Sequence, residues 1–349
     1  MSNSLPAYTT FGQSGRVLLL CMLLLTGVIS PAQKNPISTY PLTNKQSILD
    51  GRAFLRFPDK AKIELQQRTG HFPLMDHTAL TMINVDIQGM RMMFVAQELF
   101  AYASGDFLAA AEKAETRFFR HPHFKSLLLV NKDAMTAVLS TPLAMDATKP
   151  GVLIQDLLVR AGDQSVFRIS VYMEGPFDQQ KEQVLQLSEN IFKTLTPGNR
   201  RLNNTKRTER WPIYNSKKEL MITLPKDYVI TRTTKQEFEM LEFHRISELN
   251  DTSRASILIY TRRDPAYLYQ NWDLSESEAV KTPGTFSGEP VEWLNFKREF
   301  PRLYLREQHI QIKKADGENL LVHVAMIYDQ PEIPKEFMDI IEAIRITDR

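Results

Sequence analysis

The chain has 349 residues, of which 43% are hydrophobic and 24% are charged. This composition is typical of a folded globular protein and excludes a disordered or fibrous one. The 43 basic and 41 acidic side chains nearly cancel, so the electrostatic footprint of a dedicated nucleic-acid binder is missing. A chain of this length usually divides into more than one hydrophobic core, and we therefore expect two domains.

The N-terminus has the pattern of an export signal. An apolar run, Val17–Ile29, follows Arg16 and is closed by Ser30-Pro31-Ala32. This order predicts a signal peptide over residues 1–32 that is cleaved between Ala32 and Gln33. A retained anchor is the alternative, but a membrane helix needs about 20 apolar residues. We expect an exported protein, periplasmic or secreted, with no membrane span after cleavage.

The only cysteine lies inside this apolar run. Leu20 precedes Cys21 at a position where a lipoprotein signal needs a small residue, which argues against lipidation. The processed chain therefore contains no cysteine. This excludes a disulfide framework, thiolate catalysis and a cysteine-ligated metal.

The chain contains one internal repeat. Residues 167–192 and 320–345 align without a gap, and each reads as an apolar strand, a turn with proline and an amphipathic helix. The apolar positions of the two helices coincide; they are Val184, Leu187 and Ile191, and Phe337, Ile340 and Ile344. This spacing predicts that each helix buries one face.

The beginnings of the two halves also correspond. Residues 54–60 and 221–227 each read as an apolar strand that ends in a turn, at Pro58 and Pro225. Asp106 predicts the N-cap of a helix in the first half, and Asp264-Pro265 predict a helix start in the second. Further strands are predicted at 92–96, 126–130, 136–139, 153–159, 256–260, 291–296 and 303–312.

These elements predict an α+β fold of two tandem domains, each an antiparallel β-sheet packed against helices. The first domain covers residues 33–197 and the second covers 211–349. Residues 198–210 form the linker, in which the stretch 199–210 carries five basic residues. A docking segment for an anionic surface is one interpretation of this stretch. We favour a solvated linker, because a short charged run is usually exposed.

The order of elements resembles the PsbP-like fold, which is shared by lumenal photosystem subunits, a Ran-binding nuclear import factor and small bacterial envelope proteins. The resemblance covers nearly all of the processed chain, taken twice. It depends on the strands closed at Pro58 and Pro225, the helix starts at Asp106 and Asp264, and the repeated closing strand and helix. The resemblance implies an accessory protein that binds other proteins without catalysis.

The motifs of several enzyme classes are missing from the sequence. It contains no GxGxxG, GxxxxGK[ST], GxSxG or HExxH pattern. Their absence argues against a nucleotide-binding enzyme, an α/β hydrolase and a zincin. We therefore expect no cofactor.

The histidines offer two weak candidates for chemistry. His121 and His123 lie two residues apart, as in a metal site, but a third ligand would have to come from Asp76-His77 through the fold. We expect no metal. His323 interrupts an apolar strand, where it is either a general base or a hydrogen-bonded structural residue, and we favour the second. Its counterpart in the first half is Ser170.

The carboxylates also favour a structural interpretation. The acids of the last helix lie opposite its apolar face, as solvated side chains do; they are Glu332, Glu336, Asp339 and Glu342. Asp156 interrupts the strand 153–159, which an exposed sheet face would explain. General acid–base chemistry needs two groups in one cleft. We therefore predict no catalytic residue.

Aromatic side chains of the second half suggest a ligand site. Tyr267, Tyr269 and Trp272 lie close together, and Trp293 follows the loop 281–290. Exposed aromatics beside a long loop would grip a sugar or a partner. We favour a second interpretation, in which Leu268 and Trp272 form the core face of a helix.

The sequence thus favours a non-enzymatic accessory protein that binds another envelope or secreted protein. The first alternative is a protein that binds a small ligand or carbohydrate through the aromatic region of the second domain. The second alternative is a hydrolase without a recognisable motif. The sequence does not indicate an oligomeric state.

Overall fold

The computed structural model describes residues 36–66, 80–118, 124–128, 135–144, 151–175, 180–202, 205–213, 216–235, 238–251, 253, 255–262, 266–299, 302–313 and 319–349. The predicted signal peptide, the cleavage site at Ala32 and Gln33, the metal candidates and Asp264-Pro265 lie outside these ranges. None of the helices within these ranges has the length and hydrophobicity of a transmembrane span.

The first half contains eleven strands and two α-helices in its described part. The strands are β1 (Leu42–Ile48), β2 (Ala53–Pro58), β3 (Lys62–Gln66), β4 (Leu80–Ile87), β5 (Met90–Tyr102), β6 (Phe124–Leu128), β7 (Met135–Ser140), β8 (Leu143–Ala144), β9 (Val152–Ala161), β10 (Ser165–Glu174) and β11 (Thr196–Pro197). The helices are α1 (Phe107–Phe118) and α2 (Lys181–Lys193). Strands β3-β4-β5-β10-β9-β7-β6 form a large antiparallel sheet, and β1-β2-β11 form a small one.

The second half repeats this arrangement. Its strands are β12 (Arg207–Pro212), β13 (Lys218–Leu224), β14 (Tyr228–Lys235), β15 (Phe238–Arg245), β16 (Ser247–Glu248), β17 (Ala255–Arg262), β18 (Val280–Phe286), β19 (Glu289–Arg298), β20 (Leu303–Lys313), β21 (Asn319–Tyr328) and β22 (Arg345–Asp348), and its helix is α3 (Lys335–Ala343). The large sheet has the order β14-β15-β17-β21-β20-β19-β18, which matches that of the first half strand for strand. The small sheet β12-β13-β22 likewise matches β1-β2-β11.

The expected α+β class is wrong, because the described residues form three α-helices against 22 strands. The chain is mostly β. The helix expected after Asp264-Pro265 is only a short 3-10 turn, Leu268–Trp272. In addition, each half contains a small sheet of three strands. The strands predicted at 54–60 and 221–227 overlap its members β2 and β13, whereas the sequence did not predict β1, β11, β12 or β22.

The predicted apolar faces of the closing helices are confirmed. Val184, Leu187 and Ile191 of α2 are fully buried against one face of the first large sheet and the small sheet. The corresponding residues in and directly after α3 are buried in the same way in the second half; they are Phe337, Ile340 and Ile344. Each half therefore has its main core between a large sheet, a small sheet and one helix.

Helix α1 covers part of the opposite face of the first sheet. The Asp106 carboxylate accepts hydrogen bonds from the backbone N–H groups of Leu108 (3.0 Å) and Ala109 (3.2 Å), as the predicted N-cap requires. Phe107 and Ala111 are buried in a second apolar cluster of this half. In the second half, the 3-10 segment lies against the corresponding face.

The segment that we predicted as a linker is bound to both halves. Gly198 donates its N–H to the carbonyl of Arg52 (2.9 Å), and a side chain at Gly198 would collide with the backbone of Gly51. At its other end, residues 207–210 belong to β12 of the second half. The division into two domains stays a prediction.

Candidate functional site

Strand β5 is shared between the two halves. Its last residues, Ala101 and Tyr102, pair in parallel with Ser247 and Glu248 of β16. Leu249 follows them, donates its N–H to the Tyr102 carbonyl (2.7 Å) and buries its side chain in the first half. Backbone hydrogen bonds and a core residue therefore join the halves.

A bulge in β5 directs an aromatic ring to the second half. The pairing of β5 with β10 shifts between Glu98 and Ala101, and Phe100 within this step has a φ of 50°. The ring of Phe100 stacks on the imidazole of His244 in β15, with centroids 4.3 Å apart. Burial lowers the pKa of His244 to about 3, so this imidazole is neutral and stacks as an uncharged ring.

A buried ion-pair network lies behind the bulge. The Arg52 guanidinium, 1% exposed, contacts the Glu98 carboxylate at 2.7 Å and the Asp163 carboxylate at 3.3 Å. It also donates to the Ser165 hydroxyl. Burial opposes ionisation of Asp163, but the hydrogen bond from Ser165 and the charge of Arg52 outweigh it and hold its pKa below the usual value.

Glu98 is the unusual acid of this network. Burial raises its pKa to about 7, against the charges of Arg52 and Arg200, which favour ionisation. One carboxylate oxygen, Oε1, faces Arg52, whereas Oε2 has no hydrogen-bond partner in the described structure. The carboxyl group therefore titrates near neutral pH, and its Oε2 is buried without a hydrogen-bond partner among the described residues.

Glu98 faces a cavity of about 150 Å³ between the two halves. Its walls combine apolar and charged side chains; they are Glu98, Phe100, Arg200, Arg201, Leu202, Arg207, Glu209, Val229, Ile230 and Thr231. Pockets for metabolites usually measure roughly 300–1,000 Å³. This cavity has room for a single side chain.

The arginines of the cavity come from the predicted basic linker. Arg200 contacts the Asp50 carboxylate (3.1 Å), and Arg207 contacts that of Glu209 (2.6 Å). Arg201 donates to the carbonyls of Gly198 (2.8 Å) and Arg200 (3.1 Å). The linker arginines thus form the rim of a defined groove, and only part of the stretch is a solvated linker.

The predicted aromatic site is mostly core. Trp293 is fully buried and Tyr269 is 7% exposed, whereas Tyr267 and Trp272 are half-buried. Tyr267 stacks on His309, with centroids 3.6 Å apart. The expected α-helix is a 3-10 turn, but Leu268 and Trp272 are both partly buried against the same apolar cluster, as the core interpretation of these two residues requires.

His323 is hydrogen-bonded, as we predicted. Its Nε2 lies 2.6 Å from the carboxylate of Glu307, and both side chains are fully buried. The same carboxylate accepts the backbone N–H groups of Leu268 (2.8 Å) and Tyr269 (2.9 Å). Glu307 and His323 therefore hold the 3-10 segment on the sheet, a role that the sequence did not indicate for Glu307.

Asp156 is buried, which corrects the prediction of an exposed sheet face. It accepts a hydrogen bond from Ser170, its neighbour on β10, and burial raises its pKa. At the corresponding place in the second half, His309 faces His323. Both large sheets thus have a polar pair at this position, on the face opposite the closing helix, but the two pairs differ in chemistry.

Within the described ranges, no cluster of histidine, aspartate and glutamate side chains is arranged to hold a metal. The acids predicted on the last helix lie at exposed or half-buried positions, and Glu336 contacts Arg245 at 3.3 Å. Sequence reasoning missed Glu98. The one available signal was an acid within the apolar stretch of residues 92–102.

No protein-family model matches the chain, and no curated protein matches it. Two solved structures resemble it. One is described as the crystal structure of the Tle4-Tli4 complex, with 11% identity, 87% of this chain and 98% of that chain covered, and a TM-score of 0.20. The other is the apo structure of the immunity protein TplEi of T6SS from Pseudomonas aeruginosa, with 13% identity, coverage of 86% and 96%, and a TM-score of 0.22.

Superpositions with TM-scores of this size support no argument about fold or function. Nor do these comparisons contain a PsbP-like protein or family model that would support the resemblance suggested by the sequence.

Proposed function

We propose that the chain is an exported, non-enzymatic protein that binds another protein at the groove between its two halves. The observation that carries the proposal is the cavity between the two halves, with Phe100, Leu202 and Val229 as apolar walls and arginines at its rim. Aromatic residues and arginine are enriched in the cores of protein interfaces, and small pockets receive anchoring side chains there.

The joined halves also support this function. On one side, strand β5 pairs with β10; on the other side it pairs with β4 and, at its last two residues, with β16 of the second half. The groove is therefore held by backbone hydrogen bonds before a partner arrives. A preformed site loses less conformational entropy on binding than one that must first be ordered.

The polar groups of the second half support a structural role rather than catalysis. Glu307 binds two backbone N–H groups and His323, so both of its oxygens are engaged. The pair lies under the 3-10 segment, fully buried. No step of a reaction is proposed for these residues.

The test is capture of partners by the tagged full-length protein from the envelope and culture medium of its own organism. Leu202→Glu places a charge at the half-buried wall of the groove. Leu143→Glu is the matched control, because Leu143 is 41% exposed on β8, beside Ile154 at the opposite end of β9 from the groove.

One stoichiometric partner should be captured by the wild type and by Leu143→Glu, and lost with Leu202→Glu. A partner captured equally by both variants would place the binding surface elsewhere and reject the groove. Capture of no partner, combined with a thermal shift on a soluble sugar or metabolite, would favour the alternative of a small-ligand binder.

A further inference from the structure

The cavity between the halves carries an excess of positive charge. Three arginines and two glutamates line it. Glu209 is paired with Arg207 (2.6 Å) and Glu98 with Arg52 (2.7 Å). Arg201 donates to carbonyl oxygens, and no carboxylate among the described residues pairs with it. A cation at the rim therefore favours an anionic occupant.

A second group in the cavity supports the same occupant. Glu98 is 7% exposed, and its Oε2 has no hydrogen-bond partner among the described residues. The charged groups around it are Arg52, Arg200 and Asp163. Since burial raises the pKa of Glu98 to about 7, a large fraction of this carboxyl is protonated at neutral pH, and a protonated carboxyl donates one hydrogen bond.

We propose that the cavity binds the side-chain carboxylate of an acidic residue of the partner protein, between the guanidinium of Arg201 and the carboxyl of Glu98. This inference rests on the proposed function. The volume of about 150 Å³ fits one side chain, and Phe100, Leu202 and Val229 offer apolar surface to its methylene groups. A lysine or arginine of the partner would meet the three arginines of the lining.

The proposed site predicts a pH dependence with a definite sign. The occupant's carboxylate accepts a hydrogen bond from protonated Glu98 but is repelled once Glu98 ionises. Binding is therefore strongest below pH 7 and weakens as the pH rises through about 7, the pKa of Glu98. A cationic occupant would show the opposite trend, because it would gain a carboxylate partner on the alkaline side.

The experiment is a titration of the full chain with N-acetylglutamate amide, followed by NMR of the backbone amides at 98–102 and 199–202. The control ligand is N-acetylglutamine amide, which has the same shape without the charge. We expect the glutamate derivative to bind at least about tenfold more tightly than the glutamine derivative. The reason is that hydrogen bonds to a charged group are stronger than neutral hydrogen bonds by a free energy of this order. N-acetyllysine amide tests the cationic alternative.

Three variants separate the roles of the two residues. Arg201→Gln should weaken binding about tenfold or more. Glu98→Gln should retain binding, since the amide also donates, and should abolish the dependence between pH 6 and 8. Arg210→Gln is the matched control: Arg210 belongs to the same basic stretch, lies on β12 and contacts Glu219 outside the cavity, so this variant should bind as the wild type does.

Equal binding of the two ligands, preference for the lysine derivative or tighter binding at pH 8 than at pH 6 would each overturn the inference. Failure here is distinct from failure of the proposed function. If the ligands do not bind but partner capture still depends on Leu202, the groove binds a partner of another chemistry and only the carboxylate site is rejected. If capture does not depend on Leu202, both proposals are rejected.

Discussion

The ring of Phe100 lies flat on the imidazole of His244, with centroids 4.3 Å apart and planes inclined by 15°. Phe100 belongs to the bulge of β5 and His244 to β15, so one stacked pair connects the two large sheets. Phe100 holds a φ of 50°, a conformation that costs a non-glycine residue roughly 1–2 kcal/mol. The fold tolerates this cost because the positive φ brings the Phe100 ring to the second half.

Two substitutions of Phe100 separate the stacking from the backbone strain. Phe100→Ala removes the ring and keeps the strain, whereas Phe100→Gly removes both. We expect both variants to be less stable than the wild type. The glycine variant should be the more stable of the two by about 0.5–1 kcal/mol, because the relief of backbone strain exceeds the additional conformational entropy that glycine loses on folding. Urea unfolding at pH 7.5 measures this difference in the free energy of unfolding. If Phe100→Ala were as stable as Phe100→Gly, or more stable, the backbone at this position would be unstrained.

The neutral state of His244 predicts a loss of stability in acid. Its pKa is 6.5 in an unfolded chain and about 3 in the folded protein, so the unfolded chain binds more protons between these values. The stability that depends on neutral His244 is therefore fully present above pH 6.5. It is lost as the pH falls towards 3, at up to about 1.4 kcal/mol per pH unit. The substitution His244→Gln removes this pH-dependent contribution to stability.

Urea unfolding of the wild type and of His244→Gln at pH 7.5 and pH 5.0 tests this sign. Comparison of the two proteins at each pH cancels the other titrating groups. The stability advantage of the wild type should shrink from pH 7.5 to pH 5.0. An advantage that grows in acid would mean that His244 is protonated in the folded state.

Local patterns predicted the repeated elements well. Val184, Leu187 and Ile191 recur at helical spacing because one face of α2 packs on a sheet, and periodicity detects a single buried face directly. The N-cap at Asp106 could be predicted because it depends on one side chain and two backbone N–H groups within three residues. Such interactions are local in sequence, so the sequence contains them in full.

The groove depends on contacts that no local pattern contains. Glu98, Arg200 and Val229 line one cavity although they are far apart in the chain. Their meeting depends on the bulge in β5 and on the pairing of β16 with its end, neither of which has a periodic signal. For the same reason, the sequence did not show that Glu307 holds the 3-10 segment.

The carboxylate of Glu307 should be essential for the order of this segment. It accepts three donors: the N–H groups of Leu268 and Tyr269, and Nε2 of His323. In Glu307→Gln, the amide NH₂ faces at least one of them and leaves it unsatisfied. We expect a loss of about 1–3 kcal/mol and faster hydrogen exchange at the amides of residues 268 and 269.

Glu292→Gln provides the control for this measurement. Glu292 lies on the neighbouring strand β19, its side chain is 62% exposed, and it contacts Lys281 at the surface. Its substitution should change stability by no more than about 0.5 kcal/mol. If Glu307→Gln were as mild as this control, the buried carboxylate would not hold the segment.

The two tryptophans of the second half should respond differently to truncation. Trp293 is fully buried between the large sheet and α3, so Trp293→Ala should cost about 3–5 kcal/mol. Trp272 is half-buried, with the Arg298 guanidinium 5.9 Å from its ring centre, and its truncation should cost less than half as much. Thermal unfolding of both variants, with and without candidate sugars, measures the difference. Equal losses of stability in the two variants would place Trp272 in the core. A sugar that stabilises the wild type but not Trp272→Ala would instead make this ring a ligand contact. That result would favour the carbohydrate-binding alternative over protein binding at the groove.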